Sequence, residues 1–267
     1  MTIVGNKSDK DFIIHVPIRE NNLLQLALDR LNSSEEIRTL WQITNVNATE
    51  RLKMTDHGPI HFQIVANLSL RLIRILKKHS IVSSIEENFG LTNHHAELVL
   101  LLGSLLHDIG MAANREGHEE FSLFMTHTLL RELIDFLPIK EKTIVIAETM
   151  HAIINHRGGG KPETIEGGIL RVADALDMSE GRSRIPFEEG VMEIHSLSAK
   201  AIDKVTISEG QERPIIVDIY MNSSAGIFQT DQLLRSKLKN SGIERYIHVK
   251  AHINEQKEKL IVADYEL

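Results

Sequence analysis

The chain has 267 residues, enough for one large domain or two modest ones, with 42% hydrophobic and 25% charged residues, an ordinary balance for a globular protein. A net charge of -7 and an aromatic content of 4% argue against broad binding to a nucleic-acid polymer or an anionic membrane. Cysteine is absent, which excludes disulfides, thiolate metal sites and cysteine nucleophiles and fits a reducing, cytoplasmic setting.

Residues 1–50 read as an extended arm of about 20 residues followed by helices that pack on a core. Asn21–Leu31 places leucines on one helical face, and Ser33-Ser34-Glu35-Glu36 is a helix start leading into Ile37–Ile43. Pro59 in His57-Gly58-Pro59 suits a first helical turn, and His61–His79 then carries apolar residues at a helical period. Further helices are expected over His95–Ile109, closed by Gly110, over Gly117–Phe136, over Lys140–Asn155 and, after Gly158-Gly159-Gly160-Lys161-Pro162, over Thr164–Met178. The nine-residue apolar run Leu98–Leu106 is too short to span a bilayer, which takes about 20 residues.

The composition changes after a linker at 181–190. Val191–His195, Lys204–Ser208, Ile215–Met221, Tyr246–Ile253 and Lys259–Glu266 are short and rich in β-branched residues. They read as strands, the last two joined as a hairpin through Asn254-Glu255-Gln256-Lys257, with one helix over Thr230–Lys239. The expected fold is therefore mainly α: a helical bundle over 51–185, then a small α+β domain over 190–267.

The chemistry gathers around His107-Asp108, an imidazole and a carboxylate side by side at the end of the apolar run. His61, His118, His151 and Asp174 lie in flanking helices, and such residues are what Mn, Fe, Zn, Ni and Mg sites use. His118 and His127 are nine positions apart, on opposite faces of one helix, so they cannot both face one cleft. His118 is taken as the ligand and His127 as packed or exposed. His151 and His156 point about 140° apart; His151, inside its helix, is given the ligand role, and His156, at the helix end beside Arg157, substrate contact or proton transfer. Arg171, three residues before Asp174, offers a plain intrahelical ion pair, and Asp177 could orient a ligand histidine. The basic residues Arg235, Lys237 and Lys239 read as a solvated helix face, while Asn222-Ser223-Ser224-Ala225-Gly226 before a helix could meet an anion or a partner.

The ordered set His61, His107-Asp108-Ile109-Gly110 and Asp174 in Val172-Ala173-Asp174-Ala175-Leu176 resembles the HD superfamily of metal-dependent phosphohydrolases over roughly residues 50 to 180. The resemblance implies His61, His107, Asp108 and Asp174 as metal ligands. Gly117-His118-Glu119-Glu120-Phe121 and Met150-His151 are similar to segments that add two histidines in dinuclear branches, typified by myo-inositol oxygenase and the HD-GYP phosphodiesterases, so two divalent ions are expected. The Gly-Tyr-Pro triplet is lacking, which sets the chain apart from cyclic di-GMP hydrolases. The implied reaction is attack of a metal-activated water on a small phosphorylated substrate, a nucleotide or related metabolite. Asp108, His156, Arg157 and Lys161 are expected to contribute to catalysis, and Arg115, Arg182 and Arg184 are further candidate cations. A di-iron oxygenase with the same ligands and a non-catalytic sensing or scaffold protein are the competing readings, and a homo-oligomer is compatible with all three.

Overall fold

The computed structural model describes residues 12–178, 201–224, 226–228 and 234–253. The start of the expected arm, the 181–190 linker with Arg182 and Arg184, Val191–His195, residues 230–233 of the expected helix, and the turn and last strand after Ile253 lie outside the described residues.

Eight helices carry the described N-terminal part: α1 (Asn22–Ser33), α2 (Glu35–Asn45), α3 (Pro59–Lys78), α4 (Ser84–Phe89), α5 (Asn93–Leu106), α6 (His118–Leu133), α7 (Ile139–Asn155) and α8 (Ile165–Leu176). Their starts follow local chemistry. Asn21 and Ser34 accept the N–H groups of Leu24 and Ile37, and Pro59 opens α3, where its missing N–H costs nothing. Two elements were not expected from periodicity: a π-helical turn at Val46–Arg51, and α4, which six residues make too short for a periodic signal. The capping box of Ser83 and Glu86 marks α4 in the sequence all the same.

Helix α5 is the axis of the bundle, packed by α1, α3, α7 and α8. Every residue from His95 to Leu106 is buried. The segment Asn93–Ala112 has the length and apolarity of a membrane span, but 94% of its most apolar window is buried among its neighbours, so it is a core element here. Each leucine so buried contributes about 1.5–3 kcal/mol.

The helix expected to run to Ile109 stops at Leu106, and a 3₁₀ turn occupies Ile109–Ala112. His107 and Asp108 thus sit in the break rather than inside a helix. The backbone groups freed there are met by neighbours, as buried helix ends require. Trp41 Nε1 donates to Leu105 O (2.8 Å), Asn47 Nδ2 to Met111 O (2.8 Å), and Ser122 Oγ to His107 O (2.6 Å) while accepting from Gly110 N (2.9 Å). Gly110 is not a left-handed cap. A Cβ there would stand 2.0 Å from His118 O and 2.4 Å from Ser122 N, so only glycine lets α6 approach the break.

The C-terminal part is a three-stranded sheet ordered β1 (Ile202–Glu209), β2 (Ile215–Met221), β3 (Ile247–Ile253). The β1–β2 pair is antiparallel and the β2–β3 pair parallel, with Ile215 opposite Ile247. In β2 the residues Ile215, Val217, Ile219 and Met221 are buried at period two, the mark of a strand with one covered face. Of the helix expected over 230–239, the described part is one turn, Arg235–Leu238. The sheet meets the bundle at α3, where Arg71 donates to Ile207 O, and the Arg235–Leu238 turn meets it at α8. There a Cβ on Gly168 would lie 2.2 Å from Ser241 O, so glycine admits the turn that follows Arg235–Leu238.

Candidate metal centre

Four helix ends converge beside the α5 break. His61 comes from the first turn of α3, His118 from the start of α6, His156 from the residue ending α7, and Asp174 from the last turn of α8. Gly117, at φ 69°, makes the left-handed step that starts α6 at His118. His107 is fully buried, and Asp108, His61 and His156 are nearly so.

Asp108 sits between two groups of imidazoles. Its Oδ2 is 3.3 Å from His107 Nε2, 3.8 Å from His61 Nε2 and 4.0 Å from His57 Nε2. Its Oδ1 is 3.0 Å from His118 Nε2 and 3.4 Å from His156 Nε2. Asp174 Oδ1 closes the first group, 3.5 Å from His61 Nε2 and 3.9 Å from His107 Nε2.

The far nitrogen of each ring decides what the near one presents. Nδ1 of His107 faces Ser104 O (2.9 Å), that of His118 faces Arg115 O (3.0 Å), that of His156 faces Ile153 O (2.6 Å), and that of His57 faces Thr55 O (2.6 Å). Nδ1 of His61 faces Asp177 Oδ2 (2.6 Å). Carbonyls and carboxylates only accept, so Nδ1 of His107, His156, His57 and His61 carries the proton and, in the neutral ring, Nε2 offers a lone pair to the centre, whereas Nδ1 of His118 also meets the donor Arg115 Nη1 at 3.0 Å. Lone pairs 3.3–3.4 Å from carboxylate oxygens repel unless a proton or a cation lies between them. Asp108 Oδ1, buried, has no hydrogen bond of its own.

Where no cation lies between them, the imidazoles themselves compensate the carboxylates. Burial works to raise the carboxyl pKa of Asp108, yet His107, His118 and His156 hold it well below the usual carboxylate range. Burial opposes charging of His107, but Asp108 and Asp174 prevail and raise its pKa. Burial lowers the pKa of His156, with Asp108 pulling the other way. Two ionised, buried carboxylates ringed by imidazole lone pairs are a donor set that divalent transition metals fit. His61, His107 and Asp174 form one group that could hold an ion; His107, Asp108 and His156, and His118, Glu119 and His156, form two others.

Not every residue expected at the site reaches it. His151, taken as a ligand, is half-buried away from the cluster: its Nε2 accepts from Glu163 N (3.0 Å), holding the loop before α8. His156 stands in the cluster instead. The reason is that the centre lies beyond the end of α7, so a residue completing the last turn enters it and one on the helix face does not. Arg157 pairs with Glu120 (2.8 Å) at the surface, and the Lys161 side chain is exposed, so neither converges on the cluster. His127 is exposed on α6. Arg171 does not simply pair with Asp174. Its guanidinium donates to the carbonyls of Asn155, Arg157, Gly158, Ser236 and Lys237. Lys237, expected on a solvated face, ion-pairs with Asp174 Oδ2. His57 and Glu119 were not singled out from the sequence; His57 looked like punctuation before Pro59.

The HD domain model matches residues 59–179, which span His61 through Asp174. The chain belongs to the HD domain family. HD domains bind divalent metals, and the family is one of metal-dependent hydrolases. The uncharacterized protein MJ1020 of Methanocaldococcus jannaschii is 35% identical over 234 residues, covering 87% of this chain and 90% of that protein. No solved structure matches. The similarity to MJ1020 covers more of the chain than the HD domain match does.

Within this HD domain Asp177 fixes the ring of His61, and removing such a partner typically costs about 10- to 100-fold in metal affinity. Asp177→Ala is expected to show that loss in a metal-competition titration. A change below threefold would mean that packing alone orients His61.

Proposed function

We propose that the protein is a metal-dependent phosphohydrolase that uses two divalent ions to cleave a small phosphoester, a nucleotide or related metabolite. The observation that carries this reading is the division of the Nε2 atoms between the two oxygens of Asp108. One carboxylate can bridge two positions, with His61, His107 and Asp174 holding one and His118 and His156 the other. When bound, such a pair polarises a phosphoryl oxygen and makes water a nucleophile at neutral pH.

The protein's own part is preorganisation. The Nδ1 bonds fix the rings of His107, His156, His57 and His61 in one tautomer before substrate arrives, so these rings need no reorientation during reaction. His107, His118 and His156 keep Asp108 ionised against its burial, and burial lowers the pKa of His156, which favours the neutral ring that can donate a lone pair. The substrate is placed at the open side of the cluster, where Asp174 and His118 retain slight exposure.

The test is elemental analysis of chelator-free protein, then hydrolysis assays on phosphomonoesters, phosphodiesters and nucleotides after loading with Mn, Fe, Ni, Zn or Mg. About two ions per chain and phosphoester cleavage abolished by chelation are expected. Two irons with oxygen consumption and no hydrolysis would replace this reading with the oxygenase one.

A further inference from the structure

We propose that the C-terminal sheet unit completes the active site by inserting Lys237, whose ammonium binds the substrate's phosphoryl oxygens beside Asp174. This rests on the phosphohydrolase reading and names a residue that sequence similarity to the HD domain does not reach, since the match ends at residue 179.

Asp174 uses its two oxygens differently. Oδ1 faces His61 and His107, whereas Oδ2 is held by Lys237. The lysine therefore does not occupy the side of the carboxylate that faces the imidazoles. An ammonium has three N–H donors. Among the described residues, Asp174 is the hydrogen-bond partner of Lys237 Nζ, which leaves two donors. The ammonium is close enough to His156 for that ring to feel its charge. Unspent donors on a mostly buried cation, next to a centre built for phosphate, call for an anionic acceptor.

The lysine is also held in place from behind. Arg171, the buried cation of α8, donates to Lys237 O (2.7 Å) and Ser236 O (3.2 Å) with one edge and to the carbonyls ending α7 with the rest. One guanidinium thus fastens the end of α7, which presents His156, to the turn that presents Lys237. Gly168 lets Ser241 O close onto α8 one turn earlier. Of the cations expected to meet phosphate, Arg157 is paired with Glu120 and Lys161 is exposed, whereas Lys237 stands directly against Asp174.

The experiment is inorganic phosphate binding by calorimetry to the metal-loaded full chain, for wild type, Lys237→Met and Lys237→Arg, with metal content measured on the same samples. Lys237→Met should keep the wild-type metal content and weaken phosphate binding about tenfold to a hundredfold, as loss of a charge-assisted hydrogen bond would. Lys237→Arg should stay within a few-fold of wild type, which also shows that the turn still folds onto α8. Unchanged phosphate affinity in Lys237→Met overturns the proposal and leaves the phosphohydrolase reading standing. Loss of metal in that variant also overturns it, by making Lys237 a positioning residue for Asp174. A metal-loaded wild type that binds no phosphate and cleaves no phosphoester removes the phosphohydrolase reading itself.

Discussion

Asp108→Ala is expected to lose both ions and all measurable hydrolysis while keeping the helical circular-dichroism signal of the wild type. The argument is geometric. His107, His61 and His57 lie along one oxygen of this carboxylate, and His118 and His156 along the other, so this one side chain faces both groups. The loss of the ions removes several kcal/mol of transition-state stabilisation, on the order of a thousandfold or more in rate. The fold should survive because nothing structural hangs on the carboxylate. The α5 break is secured by Trp41, Asn47 and Ser122 through backbone groups, and Asp108 Oδ1 makes no hydrogen bond. Elemental analysis decides it: a variant that retains two ions would sink the bridging role, and one that retains a single ion would confine Asp108 to one group.

How far the sequence revealed this site depends on how local each signal is. Helices α3, α5, α7 and α8 follow from apolar spacing, and the His107-Asp108 pair is visible because two metal-binding residues at the end of an apolar run have no packing rationale. Helical phase allows only one of His118 and His127 to face inward, since both share α6, and the place of His118 just after Gly117 at the helix start favours it. The same reasoning misplaced His151. It assumed that the site lies on a helix face, whereas α7 delivers His156 from its C-terminal end, with Nδ1 tied to Ile153 O in the last turn. No local rule gives where the axis of α7 points.

Lys237 and Arg171 show the harder limit. A lysine 63 residues from Asp174, in a short basic stretch, has the local pattern of a solvated surface. It reaches the centre only because Gly168 admits the Ser241 turn and Arg171 caps the carbonyls of residues 236 and 237, contacts that depend on tertiary packing. The broken α5 helix is similar. Gly110 looked like a helix stop, and its actual service, close approach of α6, is legible only once α6 is in place.

The largest stability effect is expected far from the metal centre, at Arg74. Its guanidinium forks onto Glu97, Nε to Oε1 at 2.8 Å and Nη2 to Oε2 at 2.9 Å, with both side chains about 7% exposed. Asn21, the cap of α1, donates to the same carboxylate at 3.0 Å, so the cluster joins α1, α3 and α5. Arg74→Met leaves a buried carboxylate with one neutral donor, which typically costs about 3–5 kcal/mol. Arg74→Met with Glu97→Leu should regain most of that, because removing both charges also removes their desolvation penalty. The pair lies 13 residues beyond His61 on α3 and 10 before His107 on α5, roughly 15–20 Å of helix. The folded fraction of the double variant should therefore bind as much metal as wild type. Urea denaturation of the three proteins measures the first effect and elemental analysis the second. A single variant within about 1 kcal/mol of wild type would show that water reaches Glu97. A stable double variant that has lost metal would show that the ion pair sets the register between α3 and α5, and with it the distance from His61 to His107.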